Sequence, residues 1–169
     1  MTVIQQVKAA VVNAIDDADV TALTAYSAEE LKKYSSAVAA VGTREVNITH
    51  SGAAEYLGQR YDEETGAVQE VYGRKMDLSL SLDIYAPRAA GADACEEAAE
   101  TVTQAMMTAL PCGLHMQKIT WQQVQWDKVC GMFRLGGQAN YEAYFTAETA
   151  EETAEFTDFI LRGVVQNHD

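Results

Sequence analysis

The stretch YGRKMDLSLSLDIYAP, residues 72–87, decides how the chain folds, because apolar and polar side chains alternate along it without a break. The apolar series is Met76, Leu78, Leu80, Leu82 and Ile84, and the polar series is Lys75, Asp77, Ser79, Ser81, Asp83 and Tyr85. Successive side chains of a strand point to opposite faces, so this pattern predicts one long strand with an apolar and a polar face. Burial of each apolar side chain contributes about 1.5–3 kcal/mol, which holds the strand in one register. We therefore expect the apolar face in the core and no helix over the polar face.

The polar face of this strand is a candidate functional surface formed by Asp77, Ser79, Ser81 and Asp83. It could face solvent, as one side of many antiparallel sheets does, or it could line a channel or a contact between subunits. Asp77 and Asp83 are separated by about 20 Å along an extended strand. Paired catalytic carboxylates lie much closer together, so a paired-carboxylate site is excluded.

The residues on either side of this strand predict the remaining elements of a single domain, residues 1–169. These are a helix at 2–15, a short helix capped by Ser27, a strand at 36–49 with a bulge or break at Gly42, a hairpin or loop at 56–72, a helix at 93–109 capped by Asp93, a strand at 116–126, a turn at 127–131, a strand from Phe133 to Phe145 and a C-terminal helix at 149–166. Gly66 in the acidic hairpin tip would supply the positive φ that a hairpin loop needs. The order of elements predicts an α+β fold, with a mainly antiparallel sheet, helices packed on one face and a projecting β-hairpin arm.

The charge balance is strongly acidic, with 12 lysines and arginines against 25 aspartates and glutamates and a net charge of −13. Proteins that bind nucleic acid need clustered basic charge to displace counterions from phosphates, so specific nucleic-acid binding is not expected. An anionic membrane surface is disfavoured for the same reason. The longest purely apolar run, AVAAV at 37–41, is also far too short to span a bilayer.

Residues suited to catalysis or metal binding are few and scattered. Three histidines share no ligand spacing with a cysteine or a carboxylate, namely His50, His115 and His168. Three cysteines form an odd set without C-x-x-C spacing, which predicts reduced thiols in a cytosolic protein: Cys95, Cys112 and Cys130. The sequence contains no nucleophile elbow, phosphate loop or dinucleotide motif. We therefore expect a protein that is not an enzyme and that holds no cofactor and no metal.

Several stretches taken together resemble one known family. They are GTREVNITHSG at 42–52, YLG at 56–58, GRKMDLSLSLDIYAP at 73–87, GADACEEAAETVTQAM at 91–106 and WDKVCGMFRLGGQANYEAYF at 126–145. In order and texture these elements resemble the tail terminators, also called tail-completion or head–tail joining proteins, of tailed phages and prophages of Gram-positive bacteria. The resemblance implies a ring, usually a hexamer, that caps the tail tube and meets the head–tail connector. It implies further copies of the chain, the tail tube protein and the connector as partners, and the bacterial host cytoplasm and then the virion tail as locations.

Two charged segments are candidates for the contacts of such an assembly. The first is the hairpin tip, Arg60, Tyr61, Asp62, Glu63 and Glu64, and the second is the basic pair Arg74 and Lys75. A head-to-tail ring needs two different complementary patches on each subunit, so we hypothesise that the tip of one subunit pairs with the basic pair of another. Acidic charge repeated around the ring would also repel DNA passing through it.

Two alternatives remain open on the sequence. One is another tail or baseplate component. The other is a small-molecule-binding α+β domain, dimeric or not, with a cavity between sheet and helices. Trp121, Trp126 and Tyr141 are the aromatic residues that would line such a cavity.

Overall fold

A computed structural model describes residues 2–24, 26–52, 55–63 and 66–146. The predicted C-terminal helix at 149–166, His168 and Glu64 lie outside the described residues. Within them the elements are, in chain order, α1 (Val3–Asp16), β1 (Thr21–Leu23), α2 (Ala28–Leu31), β2 (Val38–Thr49), β3 (Tyr56–Asp62), β4 (Ala67–Pro87), α3 (Asp93–Thr108), β5 (His115–Trp121), β6 (Gln125–Asp127), β7 (Met132–Leu135) and β8 (Gly137–Thr146). The predicted α+β class is confirmed.

The alternating stretch forms the second half of β4, as predicted. Every residue of its apolar series is buried to 1% exposure or less. β4 is also the most connected strand, because it pairs with β2, β3, β7 and β8. The strict period of two therefore belongs to the strand around which the sheet is organised.

The eight strands form a mixed, mostly antiparallel sheet whose main path runs β1-β2-β4-β7-β6, with β8 pairing both β4 and β5. The short edge strand β1 is parallel to β2, with Thr21 opposite Val38. β2 runs uninterrupted from Val38 to Thr49, so the predicted break at Gly42 is not found. A Cβ at this position would lie 2.7 Å from Ser81 Oγ, so the glycine allows close approach to β4.

Two of the predicted long strands are each divided in the structure. The strand expected at 116–126 is β5 and β6, and the strand expected from Phe133 to Phe145 is β7 and β8. The division between β7 and β8 falls at Gly136, whose carbonyl accepts a hydrogen bond from the backbone of Gln122 at 2.8 Å. The predicted turn is confirmed, because Gly131 N donates to the Asp127 carbonyl at 2.8 Å between β6 and β7.

The helices begin and pack for identifiable reasons. α1 starts with a capping box between Thr2 and Gln5 and contacts α3 and β1. Asp93 was expected to cap α3, but it is the first residue of the helix, and Ala92 before it makes no side-chain cap. Asp93 still lies in the first turn, where the helix dipole favours a carboxylate. No helix in the described residues is long and apolar enough to cross a membrane.

A second, smaller hydrophobic cluster places α2 over the polar series of β4. It consists of Leu31, Val38, Ala40, Tyr85, Cys130 and Met132. Tyr85 belongs to the polar series and is 5% exposed. The expectation that no helix would cover this face is therefore wrong at its Tyr85 end. Ser27 caps the start of this short helix, because its Oγ accepts a hydrogen bond from Glu30 N at 3.2 Å.

The chain groups into two compact units. The core unit comprises Met1–Asn47 and Asp77–Ala143, and the hairpin unit comprises Ile48–Met76 and Tyr144–Asp169. The hairpin unit contains β3 and the first half of β4, which pair in antiparallel register. A single domain over all 169 residues, and an arm that projects from it, stay predictions.

Candidate functional site

In the core unit, side chains from β7 and β8 form hydrogen bonds with the polar face of β4. Arg134 Nη2 donates to Asp83 Oδ2 at 3.0 Å, and Gln138 Nε2 donates to Ser79 Oγ at 2.9 Å. Ser79 and Asp83 are 9% and 8% exposed. In the single chain these two side chains are therefore paired rather than solvated, and the expectation that the face lines a channel stays a prediction.

The other two residues expected on that face, Asp77 and Ser81, are half-buried. Ser81 lies against Gly42 of β2, and Asp77 is held by an interaction within the chain. Because these partners fix the face from several strands, its main role in the single chain is to define how the strands align.

Arg134 stays charged in its ion pair with Asp83. Burial by itself would lower the pKa of Arg134, but the charge of Asp83 and its hydrogen bond outweigh burial and raise that pKa. The guanidinium Cζ lies 6.0 Å from the ring centroid of Tyr85, where a cation is attracted to the aromatic face. Burial raises the pKa of the Tyr85 hydroxyl above its ordinary value, so the phenol stays neutral near pH 7.

The hairpin unit carries the predicted contact residues and most of the exposed apolar side chains. In the described part of the chain, ten large hydrophobic residues are exposed, and six of them belong to this unit: Ile48, Tyr56, Tyr61, Val68, Tyr144 and Phe145. Tyr61 and Val68 are 62% and 60% exposed and stand directly opposite each other across β3 and β4. Contiguous exposed apolar patches mark surfaces that bind other proteins.

The hairpin itself forms as the sequence indicated. Gly66 follows the tip with φ of 66°, the positive value predicted for it. The charged tip residues Arg60 and Glu63 are exposed. Charge and apolar surface therefore meet at the end of this hairpin.

The basic pair is not free to accept the tip of another subunit without competition. Arg74 Nε donates to Glu55 Oε1 at 2.7 Å, and Glu55 also lies 3.2 Å from His50 Nδ1. Lys75 takes part in an interaction within the chain as well. The hypothesised contact between the tip and Arg74 would have to displace Glu55.

The cysteines and histidines that the structure describes do not belong to a three-residue metal-binding group. No group of three histidine, cysteine, aspartate or glutamate side chains there could hold a metal ion. Cys95, Cys112 and Cys130 are free thiols, and only Cys112 is exposed. Burial raises the pKa of Cys95 to about 11 and also raises that of Cys130, so both buried thiols stay protonated near neutral pH.

The three aromatic residues of the small-molecule alternative do not meet in one cavity. Tyr141 is 1% exposed, and its hydroxyl donates to Met106 Sδ at 3.1 Å. Trp126 packs edge-on against Phe133, with ring centroids 5.0 Å apart. Trp121 borders a groove on α3.

That groove, called the α3 groove below, lies in the core unit. It has a volume of about 700 Å³ and is lined by Glu96, Ala99, Glu100, Thr103, Gln104, Met107, Thr108, Trp121, Gln122 and Leu135. Trp121 Nε1 donates to Thr103 Oγ1 at 2.9 Å, which fixes one wall against α3. A second groove, of about 640 Å³, runs between α1 and α3.

Sequence reasoning missed two exposed apolar residues of the core unit. Val129 is 80% exposed in the turn between β6 and β7, and Met107 is 72% exposed at the edge of the α3 groove. The signal for Met107 was available, because Met106 belongs to the buried stripe of α3 and its successor must point about 100° away. The exposure of Val129 could also have been predicted, because it is the one large apolar residue in the predicted turn.

Comparison with solved structures gives a distant structural likeness. No protein-family model matches the chain, and no curated protein matches it. Among solved structures, it is similar to a chain from a virion of a native gene transfer agent particle, with a TM-score of 0.38 and 14% sequence identity. The match covers 86% of this chain and 100% of that chain. Function is therefore inferred from the surfaces described above.

Proposed function

We propose that this chain is a non-enzymatic structural protein of a phage or prophage virion, and that its copies form a ring that terminates the tail tube and joins it to the head connector. The observation that carries the proposal is the exposed apolar surface of the hairpin unit, centred on Tyr61 and Val68. Aromatic residues of this kind are enriched where proteins bind one another. The hairpin surface is the contact with a neighbouring virion protein.

The geometry of the hairpin suits a docking element. Among the described residues β3 pairs with β4, and its other edge would offer backbone donors and acceptors to a further strand. Tyr61 and Val68 add apolar area beside that edge. Backbone pairing gives such a contact affinity, and the apolar pair gives it specificity.

The charge of the chain supports a ring through which DNA passes. Each copy carries a net charge of −13, and a ring multiplies that charge. A duplex in the channel is then repelled from the wall rather than bound to it. Weak DNA binding is therefore the behaviour expected of such a ring.

The test is the mass of the purified protein in solution by light scattering, together with negative-stain images, with and without the tail tube protein of the same phage or prophage. We expect rings of one defined stoichiometry, formed by the chain alone or on addition of the tube protein. Monodisperse monomers or dimers under both conditions would overturn the ring. A rise in melting temperature with a metabolite, in a protein that forms no ring, would support the small-molecule alternative.

Variants of the hairpin test whether its apolar surface binds the tube or connector protein. Val68→Asp places a charge in the apolar pair and should abolish binding of the tube or connector protein, whereas Val68→Ile keeps the surface apolar and should bind as wild type. Position 68 is exposed, so both variants should have the melting temperature of the wild type. Equal binding by the two variants would remove the hairpin surface from the proposal.

A further inference from the structure

We propose that copies of this chain bind one another head to tail, by insertion of the turn between β6 and β7, through Val129, into the α3 groove of the next copy. This inference rests on the proposed function, because it names the contact that would build the ring. It concerns only the core unit, and it is independent of the hairpin surface.

The turn is an apolar knob held in a fixed shape. Asp127 Oδ1 accepts hydrogen bonds from the backbone of Val129 at 2.8 Å and of Cys130 at 3.3 Å. Gly131 closes the turn with φ of 65°. These constraints hold Val129 outward at 80% exposure while Cys130 stays buried in the smaller hydrophobic cluster. A side chain presented this way loses little conformational entropy on binding.

The α3 groove is an apolar receptor of suitable size. Its floor and walls include Ala99, Trp121 and Leu135, and Met107 stands at 72% exposure beside them. Val129 and Met107 are the two most exposed large hydrophobic residues in the described part of the chain. Val129 projects from a turn and Met107 borders a concave groove, so the two apolar surfaces are complementary in shape.

Charge selects the pairing between these two surfaces. Lys128, next to Val129, is exposed. Glu96 and Glu100 on the rim of the α3 groove are exposed too. Two copies with a net charge of −13 each repel one another overall, so a contact between them must place a local cation against local anions. The turn and the groove meet this requirement.

The contact is heterologous, because the turn and the groove are different surfaces. An open chain of bound copies leaves one turn unused at one end and one groove unused at the other, so further copies add until the two ends meet and close a ring. A symmetric dimer would use both surfaces of both copies at once.

The test uses two variants that each spoil one surface. Val129→Asp destroys the knob and keeps the groove, whereas Met107→Asp destroys the groove and keeps the knob. Loss of one buried apolar centre should weaken self-association about 10- to 100-fold, so each variant alone should be monomeric where the wild type associates. An equimolar mixture of the two has one intact knob and one intact groove, and it should form a one-to-one heterodimer that grows no further.

Charge swaps supply the matched control. Lys128→Glu and Glu100→Lys should each weaken self-association, and the double variant should recover it. Circular dichroism and melting curves check that every variant folds; all four positions are exposed, so folding should persist.

The outcomes separate this contact from the proposed function. Wild-type protein that stays monomeric up to about 1 mM, with or without tube protein, overturns the contact. Rings that persist in Val129→Asp, or mixed variants that stay monomeric, also overturn it; persistent rings leave the proposed function standing. Knob-dependent association that never yields rings, alone or with tube protein, supports the contact and overturns the ring.

Discussion

Arg134 Nη2 lies 3.0 Å from Asp83 Oδ2, so the polar face of β4 is tied to β7 by an ion pair within the chain. The side chain of Asp83 is 12% exposed and that of Arg134 is 46% exposed. The carboxylate therefore lies inside the fold while the guanidinium reaches the surface and keeps part of its hydration. A face that looks like a solvated surface in the sequence is, at this position, a structural joint between strands.

Removal of the Asp83 carboxylate should destabilise the fold by a moderate amount. Asp83→Ala leaves the guanidinium of Arg134 without its partner, but the exposed part of that group can still be solvated. We expect a loss of about 1–2 kcal/mol in the free energy of unfolding, below the cost of breaking a fully buried pair. Chemical denaturation at pH 7 measures it. Glu97→Gln, which neutralises an exposed carboxylate on α3, is the control and should change stability by no more than about 0.5 kcal/mol. Equal stabilities of Asp83→Ala and wild type would show that the pair contributes nothing.

Two adjacent glycines should respond differently to the same added methyl group. A Cβ at Gly137 would press against the Trp121 ring and come within 2.6 Å of the Leu82 carbonyl, which is backbone and cannot move aside. A Cβ at Gly136 would lie 2.8 Å from Oε1 of Gln122, at the flexible end of a side chain. We expect Gly137→Ala to cost about 1–3 kcal/mol and Gly136→Ala clearly less. Thermal and urea unfolding of both variants tests this, and equal costs would contradict the packing described for Gly137.

The long strand could be predicted because its evidence is local. Five apolar residues at a strict spacing of two allow one secondary structure and one buried face, and burial of that face is confirmed. The fate of the opposite face could not be predicted, because its partners are distant in the chain. Arg134 is 51 residues from Asp83, and Gln138 is 59 residues from Ser79. Whether a polar residue meets water or another polar residue depends on tertiary contacts that no local pattern encodes.

For the candidate contact residues too, local features could be predicted from the sequence and contacts with distant residues could not. The acidic tip and the glycine that follows it predict a hairpin around Tyr61, so the exposure of Tyr61 could be expected from the local sequence. The pairing of Arg74 with Glu55 depends on a contact 19 residues away, and the sequence hypothesis did not include it. The α3 groove was missed for the same reason, since Trp121 and Leu135 meet α3 only in the folded chain.

Stability should fall at alkaline pH, and Cys95 should account for part of the fall. Burial raises the pKa of Cys95 from its ordinary value of 9.0 to about 11, and its thiol donates to the Phe133 carbonyl at 3.6 Å. Below pH 9 the thiol is protonated in both states, so its contribution is fully present. Between pH 9 and 11 the unfolded chain loses this proton first, so stability falls as pH rises, by about 2 kcal/mol at pH 11. The free energy of unfolding against pH measures this loss.

The control for the alkaline loss is a truncation on the same helix that removes no titrating group. Cys95→Ala should show a shallower decline above pH 9 than wild type. Val102→Ala should be less stable than wild type by the same amount at every pH, because Val102 is fully buried and has no proton to lose. Parallel curves for wild type and Cys95→Ala would contradict the raised pKa.

Reversal of charge at the hairpin tip should affect binding to a partner more than association between copies. Because Arg74 is held by Glu55 at 2.7 Å, we expect the acidic tip to find its cation on another protein. Glu63→Lys with Glu64→Lys should leave the oligomer mass unchanged and should weaken binding of the tube or connector protein, most clearly at low salt. Light scattering and a binding titration at two salt concentrations measure both effects. Glu29→Lys, a reversal at an exposed position of α2, is the control and should change neither. A lower oligomer mass in the tip variant, with the control unchanged, would instead support pairing of the tip with Arg74 and Lys75 of another copy.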